Sequence, residues 1–291
     1  MPPLLDTHQH LVYPDRLAYG WAAGAPALAG RAFTLDDYRA LTRGSGVAGS
    51  IFMEVDVDEP DLEAEARFIA GLARDPASGI LGIIAACRPE RDAGFDAWLE
   101  QAPDLGVVGY RRILHTIGDD DRSRSETFRA NVRKIGARGL TFDLCFFARQ
   151  LPVALELVRA CPDTQFVLDH CGNPDIAAGA AAAAPPWRAG LKALAAEPNV
   201  VAKLSGVYAN VAPGTASLET VRPWVEEVIA TFGPDRCLWG SDWPVVNVQG
   251  GDLPDWIAAF RGILAGYSGT EQAAMAHGTA ERVYGVRLGE G

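Results

Sequence analysis

The chain of 291 residues lacks an excess of positive charge and any long hydrophobic run. Lys and Arg number 26 against 37 Asp and Glu, so the formal net charge is −11. A protein of this charge repels phosphate backbones and anionic lipid surfaces, and we therefore expect no nucleic-acid partner and no membrane partner. No apolar run approaches the roughly 18–20 residues that a membrane-spanning helix requires. We expect a small molecule as the partner.

The chain also lacks paired cysteines, and we expect no N-terminal signal sequence. Its five cysteines are isolated, with no CxxC pair, at Cys87, Cys145, Cys161, Cys171 and Cys237. An odd number of cysteines with apolar neighbours is typical of buried, reduced thiols. The first ten residues have neither the basic segment nor the long apolar segment of a signal peptide. These features predict a cytoplasmic protein.

Short apolar runs alternate with amphipathic stretches along nearly the whole chain. The runs are continuous, as in strands buried on both faces of a parallel sheet. The predicted strands are Leu4–Thr7, Gly49–Val55, Ile80–Ala86, Val107–Leu114, Leu140–Phe146, Gln165–Leu168, Val200–Leu204 and Cys237–Gly240. Eight strands alternating with helices indicate a (β/α)8 TIM barrel. The alternative, an open doubly wound sheet, usually has a Gly-rich turn after its first strand, whereas Thr-His-Gln-His stands here.

Capping residues and apolar spacing predict the helices between these strands. One begins after an N-cap at Thr34, and the others are Leu62–Arg74, Glu126–Ala137, Pro152–Ala160, Trp187–Ala196, Leu218–Thr231 and Trp256–Ala265. The Ala-rich segment Ala177–Pro186 is compatible with a loop or with a short helix, and we assign it no chemistry. No linker divides the chain, so residues 1–291 are predicted to form one domain.

Histidines gather where the predicted strands end. Of the five histidines, His8 and His10 follow the first strand, His115 the fourth and His170 the sixth. Asp242 follows the eighth strand. In a TIM barrel the active site lies at the carboxyl ends of the strands. The distribution therefore predicts one site built from distant parts of the chain.

His8 and His10 are candidate metal ligands. Alternate residues of a strand project to the same side, so both rings can face the barrel axis. Two imidazoles suit a borderline-soft divalent cation such as Zn²⁺. An H-x-H pair is also found in purely structural roles, and its position at a strand end favours metal or substrate binding.

Asp242 and His170 are the candidate catalytic residues on the later strands. A carboxylate opposite the two N-terminal imidazoles can bind a metal and accept a proton from water. The alternative for Asp242 is a helix or turn cap. The alternative for His170 is a structural histidine held by Asp169.

Charged residues within the strands are candidate substrate contacts. Strand alternation turns either Arg111 or Arg112 inward, where it can hold a substrate oxygen or form an ordinary ion pair. Asp143 is a similar candidate, and Lys203 is another. Glu54 is a further candidate metal ligand. For Asp143 and Glu54 alike, Arg111 is the alternative partner, because a buried carboxylate needs one.

Two aromatic residues, Tyr19 and Trp21, occur in the long segment after the first strand. They are candidates for the floor of a sugar-binding cleft. Loop aromatics also commonly serve only to pack against the rest of the protein.

Together these segments resemble the amidohydrolase superfamily, in particular its amidohydrolase-2 branch. The resemblance rests on Leu-Asp-Thr-His-Gln-His, Phe-Val-Leu-Asp-His-Cys-Gly-Asn-Pro and Leu-Trp-Gly-Ser-Asp-Trp-Pro, in this order along the chain. Gly-Tyr-Arg-Arg-Ile-Leu-His and Gly-Leu-Thr-Phe-Asp-Leu are similar to the sugar lactonases of the L-fuconolactonase and L-rhamnonolactonase type. The resemblance implies a distorted TIM barrel and active-site or metal roles for His8, His10, His170 and Asp242.

The sequence departs from the binuclear members of that superfamily. No lysine ends the fourth strand, and the fifth strand offers Asp143 where many binuclear members have a histidine. The resemblance therefore implies a mononuclear site, and metal-free lactonases in the branch leave catalysis without a metal open. The C-terminal His-Gly-Thr-Ala-Glu-Arg-Val-Tyr-Gly resembles the family's packing helix, in which His277 has a structural role.

The resulting hypothesis is hydrolysis of a sugar-acid lactone. One divalent cation, Zn²⁺ by preference, polarises the ring carbonyl or activates water, and Asp242 accepts the water proton and returns it to the ring oxygen. His115, His170 or Arg111 donates to the developing oxyanion, as such donors typically do in acyl transfer.

Two alternatives remain at the level of the sequence. The same barrel can act as a decarboxylase or C–C hydrolase on an aromatic or dicarboxylic acid. It can also bind a ligand without catalysis. Nothing in the sequence predicts the particular lactone or the oligomeric state.

Overall fold

The computed structural model describes residues 1–115 and 118–289. Eight parallel strands pair in chain order, and helices surround them. The strands are β1 (Leu4–Gln9), β2 (Val47–Met53), β3 (Ile80–Ala86), β4 (Val107–Ile113), β5 (Thr141–Cys145), β6 (Gln165–Leu168), β7 (Val200–Leu204) and β8 (Cys237–Trp239). The predicted TIM barrel is confirmed. β3, β6 and β7 have the predicted bounds, whereas β1 continues to Gln9, which still pairs with Phe52 of β2.

The ring is completed just beyond the end of β8, which makes the barrel distorted. Asp242 donates its backbone N–H to the carbonyl of His8 at 2.8 Å, and His10 donates to the carbonyl of Trp243, also at 2.8 Å. The buried carboxylate of Asp6 accepts from the backbone N–H of Ser241 at 2.8 Å. The segment after β8 thus lies against β1, which brings Asp242 next to the two N-terminal histidines.

Helices cover the outer face of the barrel, so the strands are buried on both sides; all five residues of β5 are buried. The helices are α1 (Leu35–Thr42), α2 (Leu62–Ala73), α3 (Phe95–Glu100), α4 (Ala102–Leu105), α5 (Glu126–Ala137), α6 (Leu151–Ala160), α7 (Ala180–Ala195), α8 (Leu218–Phe232), α9 (Leu253–Leu264), α10 (Gly269–Ala273) and α11 (Thr279–Tyr284). Thr34 caps α1, as predicted, and it also forms a capping box with Asp37. The short helices α3 and α4 were not predicted, because neither is long enough to show a clear helical period.

The Ala-rich segment and the C-terminal segment are both largely helical. Most of Ala177–Pro186 forms the first part of α7. The C-terminal segment forms α10, a π-helical turn and α11, and the π-helical turn packs against β8. His277 lies 3.2 Å from a carboxylate oxygen of Glu281 and does not line the central cavity, in agreement with a structural role.

All five cysteines are free and buried, as predicted. Within residues 1–115 and 118–289, no helix is both long and apolar enough to cross a membrane.

Candidate active site

A cavity of about 320 Å³ opens at the carboxyl ends of the strands. Its polar lining comes from widely separated parts of the chain: His10, Asp56, Arg111, His115, Cys145, His170, Asn173, Asn210 and Asp242. Apolar side chains, among them Trp21, Ile113 and Phe147, form much of the remaining wall. This is the position expected of an active site in a TIM barrel.

His8 and His10 project to the same side of β1, as strand alternation predicts. Their ring centroids are 4.8 Å apart, His8 is fully buried and His10 lines the cavity. His10 Nδ1 lies 3.0 Å from the backbone carbonyl oxygen of Met53. A carbonyl only accepts, so Nδ1 carries the proton and Nε2 is left as an acceptor or a ligand. That Nε2 lies 3.5 Å from Asp242 Oδ1.

His170 and Asp242 occupy turns directly after β6 and β8. Both residues have left-handed backbones, with φ of 55° and 57°. Ligand atoms of His8, His170 and Asp242 all lie within 4.8 Å of one another. His170 Nδ1 lies 3.0 Å from Ser205 Oγ, which leaves Nε2 for the cavity. The convergence of these three residues agrees with the prediction of one shared site.

Two glycines make room for these histidines. A Cβ atom on Gly206 would lie 2.4 Å from His170 Nδ1, and one on Gly240 would lie 2.7 Å from His8 Cβ. Any larger residue at either position would force the imidazole to move.

Glu54, predicted as a metal ligand, pairs with Arg111 instead. Arg111 Nε donates to Glu54 Oε1 at 2.6 Å, and its second terminal nitrogen donates to the Glu54 carbonyl at 2.7 Å. Glu54 Oε2 accepts from the backbone N–H of Asp56 at 2.7 Å. Both carboxylate oxygens are thus engaged by the protein, and Glu54 is not part of the His8–His170–Asp242 group. Arg111, the alternative partner that the sequence analysis considered for Glu54, is therefore the observed partner.

Arg111 is the inward arginine of β4. Its Nη1 lies 3.3 Å from His8 Nε2 and 3.4 Å from Asp169 Oδ2, and its side chain lines the cavity. Arg112, also predicted as a substrate contact, instead binds Glu90 Oε1 at 2.9 Å and does not line the cavity. Consecutive residues of a strand point to opposite faces, so only one of the two arginines reaches the site.

Asp143 and Lys203, predicted as substrate contacts, lie fully buried beside His8 and do not line the cavity. Lys203 Nζ is 2.6 Å from Asp143 Oδ2, 3.1 Å from Asp169 Oδ1 and 3.3 Å from His8 Nδ1. The three charged groups form a network that supports the ring of His8. A buried charge needs a partner of opposite charge. Asp143 and Lys203 find their partners within the protein, whereas the sequence analysis predicted that they contact the substrate.

Three histidines of the site, His8, His115 and His170, are held neutral. Burial lowers the pKa of His8 well below 6.5 and also lowers the pKa of His170. Burial lowers the pKa of His115 to about 4. A neutral imidazole is the form that binds a metal ion or donates one hydrogen bond to a polarised oxygen.

His115 stacks on Phe147, with ring centroids 4.6 Å apart and planes inclined by 21°. Within the described part of the chain, its buried Nδ1 has no hydrogen-bond partner. An unpartnered polar atom on the cavity wall is a natural contact for a ligand. The role of His115 as a donor to substrate stays a prediction, and its ring lines the cavity.

The two aromatic residues proposed for the cleft have different positions. Trp21 lines the cavity and donates from Nε1 to the carbonyl of Val55 at 2.7 Å. Tyr19 does not line it; its hydroxyl accepts from the backbone N–H of Tyr13 at 3.1 Å. Tyr19 therefore packs against the rest of the protein and does not form the floor of the cavity. This is the alternative role that the sequence analysis considered for it.

Sequence reasoning missed Asp56, Cys145, Asn173 and Asn210 in the cavity wall. Asp56 follows β2 and has a left-handed backbone with φ of 50°, like Asp242. The rule that polar residues after strands build the site would have identified it. Asn173 lies in the quoted Asp-His-Cys-Gly-Asn-Pro segment and also has a left-handed backbone, with φ of 48°. No sequence signal marks Asn210.

The donor set and the local charge fit a divalent cation. Buried acidic groups outnumber buried basic groups in and beside the site. The acidic residues are Glu54, Asp143, Asp169 and Asp242, and the basic residues are Arg111 and Lys203. Burial raises the pKa of Asp143 to about 7. Even with that group protonated, the carboxylates outnumber the cations. Two neutral imidazoles and a carboxylate within reach of one another match a zinc-type ligand set.

The chain matches the family model described as Amidohydrolase over residues 5–286. It is 36% identical over 159 residues to the L-fucono-1,5-lactonase of Burkholderia ambifaria, covering 54% of this chain and 53% of the relative. It is 27% identical over 294 residues to the L-fucono-1,5-lactonase of Burkholderia multivorans, covering 97% and 96%. A crystal structure of an amidohydrolase from Burkholderia multivorans with bound zinc aligns with a TM-score of 0.85 at 26% identity, over 98% of this chain and all of that one.

The chain has a TIM barrel with histidines and carboxylates at its strand ends, and it belongs to the amidohydrolase family, which supports a hydrolase. Its relatives named as lactonases support lactone hydrolysis in general.

Proposed function

We propose that this protein hydrolyses the lactone of a sugar acid. The observation that carries the proposal is the convergence of His8, His170 and Asp242, within 4.8 Å of one another, at the strand-end cavity. Two relatives named as L-fucono-1,5-lactonases support the choice of a sugar lactone. We further propose a cytoplasmic location and a small-molecule partner, without nucleic acid or membrane.

A single divalent cation, Zn²⁺ by preference, is part of the proposal. His8, His170 and Asp242 would hold it, and the Nε2 atom of His10 faces the same aspartate. When bound, such an ion polarises the lactone carbonyl and lowers the pKa of a coordinated water. The zinc in the related Burkholderia multivorans structure supports this choice of metal.

Asp242 is the proposed general base. Its carboxylate lines the cavity, and its Oδ1 atom lies 3.7 Å from Nε2 of His8. The carboxylate removes a proton from the attacking water, and the oxygen of that water bonds to the lactone carbonyl carbon. When the ring C–O bond breaks, Asp242 returns the proton to the departing ring oxygen, so the carboxylate is regenerated.

His115 and Arg111 are the proposed donors to the carbonyl oxygen as negative charge develops on it. The unpartnered Nδ1 of His115 and the cationic Nη1 of Arg111 both belong to residues of the cavity wall. Loss of one such donor typically costs about 100- to 1,000-fold in kcat. Trp21 and Phe147 supply apolar surface for the carbon face of the substrate.

Apart from the proposed metal ion, the side chains of the cavity disfavour the alternative of a dicarboxylic acid substrate. Arg111 is the one cation in its described lining, and this arginine is already paired with Glu54. Residues 116, 117, 290 and 291 are Thr, Ile, Glu and Gly, so none of them adds a cation. Asp56 and Asp242 contribute negative charge to the same wall. A neutral lactone avoids the repulsion that a second carboxylate would meet.

Replacing Asp242 with Asn tests the assignment of the base. Asn also tolerates the left-handed backbone at this position, so the fold should persist. We expect kcat on sugar lactones, followed with a pH indicator, to fall by about 100- to 10,000-fold. Full activity of Asp242→Asn would remove its assigned role.

Asp56→Asn is the matched control. Asp56 also lines the cavity with a left-handed backbone, and the substitution removes the same charge. We expect this variant to retain kcat and to change mainly KM. Failure of the unmodified protein to release acid from any lactone would instead favour a non-catalytic ligand-binding barrel. Release of CO2 would favour the decarboxylase.

A further inference from the structure

The carboxylate of Asp6 links the two chain segments that carry His8 and Asp242. Asp6 lies in β1, and its side chain is fully buried. Its Oδ1 atom accepts hydrogen bonds from the backbone N–H groups of His8 at 3.0 Å and of Ser241 at 2.8 Å. Its Oδ2 atom accepts from the hydroxyl group of Tyr38, in α1, at 2.6 Å. One carboxylate therefore contacts the backbone of His8, the backbone of the residue before Asp242, and a helix outside the barrel.

This part of the barrel lacks regular strand pairing. Where β8 meets β1, the described residues form an isolated bridge between Gln9 and Trp243 and no ladder. The register of the β1–β2 pairing also shifts between Asp6 and Gln9, a stretch that includes His8. Because a buried N–H group without a partner is costly, a side-chain acceptor is needed where a ladder supplies none. Asp6 supplies this acceptor for both His8 and Ser241.

The backbone contact between His8 and Asp242 lies next to this carboxylate. Asp242 donates its backbone N–H to the carbonyl oxygen of His8 at 2.8 Å, and the hydroxyl group of Ser241 donates to the same oxygen at 3.2 Å. Since Ser241 and Asp242 are consecutive, a contact that fixes the backbone of the first also limits the positions of the second.

We infer that Asp6 is a positioning residue: by accepting from two backbone N–H groups, it sets the distance between His8 and Asp242. The inference rests on the proposed function, in which Asp242 is the general base. Asp6 is not among the described lining residues of the cavity, so it acts through the backbone of its neighbours and not on the substrate.

Two variants of Asp6 test this role through the kinetics of lactone hydrolysis. Asp6→Ala removes the acceptor, and we expect kcat to fall about 100-fold with KM nearly unchanged, because a displacement of about 1 Å in a catalytic group can cost that much. Asp6→Asn keeps one oxygen that can accept from both backbone N–H groups, and its amide can donate to the hydroxyl oxygen of Tyr38. We therefore expect kcat of Asp6→Asn to stay within about threefold of the unmodified value.

Crystal structures of the same variants provide a readout that does not depend on turnover. The distance from the backbone nitrogen of Asp242 to the carbonyl oxygen of His8 is 2.8 Å in the unmodified protein. We expect this distance to lengthen in Asp6→Ala and to persist in Asp6→Asn.

Tyr38→Phe is a further variant, which replaces Asp6→Ala if that protein does not fold, as judged by circular dichroism. The ring of Tyr38 packs against Trp243, with centroids 5.6 Å apart, and Phe can keep this contact. Loss of the hydroxyl donor alone should lower kcat by about 3- to 10-fold, the effect of one hydrogen bond. Tyr110→Phe is the matched control and should keep kcat. Tyr110 is also buried, and its hydroxyl donates to the carbonyl of Trp98 at 3.5 Å, away from the described cavity lining.

An unchanged kcat or an unchanged backbone distance in Asp6→Ala would overturn the inference. So would a raised KM with kcat retained, equal losses of kcat in Asp6→Ala and Asp6→Asn, or equal losses in Tyr38→Phe and Tyr110→Phe. Turnover is measured at a temperature at which each variant is folded, so that lower stability alone does not reduce kcat. If the unmodified protein hydrolyses no lactone, the proposed function fails, and the backbone distance in the crystal structures still decides the role of Asp6.

Discussion

Arg111 and Arg112 are neighbours in β4 with opposite environments. Arg111 is turned toward the site, where its guanidinium binds Glu54 and lies beside His8. Arg112 meets Glu90, which also accepts from Arg122 at 3.0 Å. The same substitution can therefore be made at both positions, one inside the site and one outside it, and its effects on stability and activity can be compared.

We expect Arg111→Gln to destabilise the protein and Arg112→Gln to have a smaller effect. Removing Arg111 leaves the buried Glu54 carboxylate unpaired, which typically costs about 3–5 kcal/mol of the free energy of unfolding. Glu90 keeps Arg122 when Arg112 is replaced, so we expect a loss of about 1 kcal/mol. Urea denaturation measures both values, and kcat/KM on a sugar lactone should remain near that of the unmodified protein only for Arg112→Gln. Equal losses in the two variants would contradict the assignment of Arg111 as the inward residue.

At the scale of elements, the loop after β7 determines where the His170 ring lies. Gly206 has a left-handed backbone with φ of 69°, and its missing side chain leaves the space that the imidazole fills. His170 belongs to the turn after β6, so adjacent strand-end loops share this packing. The position of His170, a proposed metal ligand, therefore depends on Gly206 in the neighbouring loop, which has no side chain.

Gly206→Ala should lower both stability and activity. The left-handed backbone alone costs a residue with a Cβ about 1–2 kcal/mol, and the new Cβ also displaces His170. Gly214→Ala is the matched control, because Gly214 has φ of 73° and no other atom lies within 4 Å of the position that a Cβ would take there. Thermal unfolding should show a loss in both variants, whereas kcat should fall only in Gly206→Ala. Retention of kcat in Gly206→Ala would show that the site does not need the observed position of His170.

At the scale of the whole molecule, the fold keeps three active-site histidines neutral while enclosing several carboxylates. Burial lowers the pKa of His8, His115 and His170. In the unfolded chain these groups return to a pKa near 6.5. At a pH between the pKa in the folded protein and the pKa in the unfolded chain, the unfolded state binds more protons than the folded state. The free energy of unfolding must therefore fall as the pH is lowered through this range.

We expect His115 alone to account for about 2 kcal/mol of the stability lost between about pH 8 and pH 5. Its pKa of about 4 keeps His115 neutral in the folded protein at both pH values. In the unfolded chain the same side chain binds a proton at the lower pH. His115→Phe, which can keep the stacking on Phe147, should show a correspondingly smaller loss in urea denaturation at the two pH values. The same loss in the variant and in the unmodified protein would contradict the lowered pKa.

The sequence alone sufficed for the barrel, the order of its strands and the meeting of His8, His10, His170 and Asp242. Alternation of buried apolar runs with capped helices leads to parallel strands, and a closed parallel sheet brings all strand ends to one rim. These inferences depend on local periodicity and on a topological rule. They do not require knowledge of which side chains touch.

The pairing of the buried charges was decided by the tertiary structure. Arg111 lies beside Asp143 in the ladder between β4 and β5, yet it binds Glu54 on β2, while Lys203 of β7 takes Asp143. A buried charge binds the opposite charge that packing brings within reach, whatever its distance along the chain. For that reason residue types alone marked Glu54, Asp143 and Lys203 as functional candidates. Arg111 was a possible partner of either carboxylate, and only the closure of eight strands around one axis decided that Arg111 binds Glu54 while Lys203 binds Asp143.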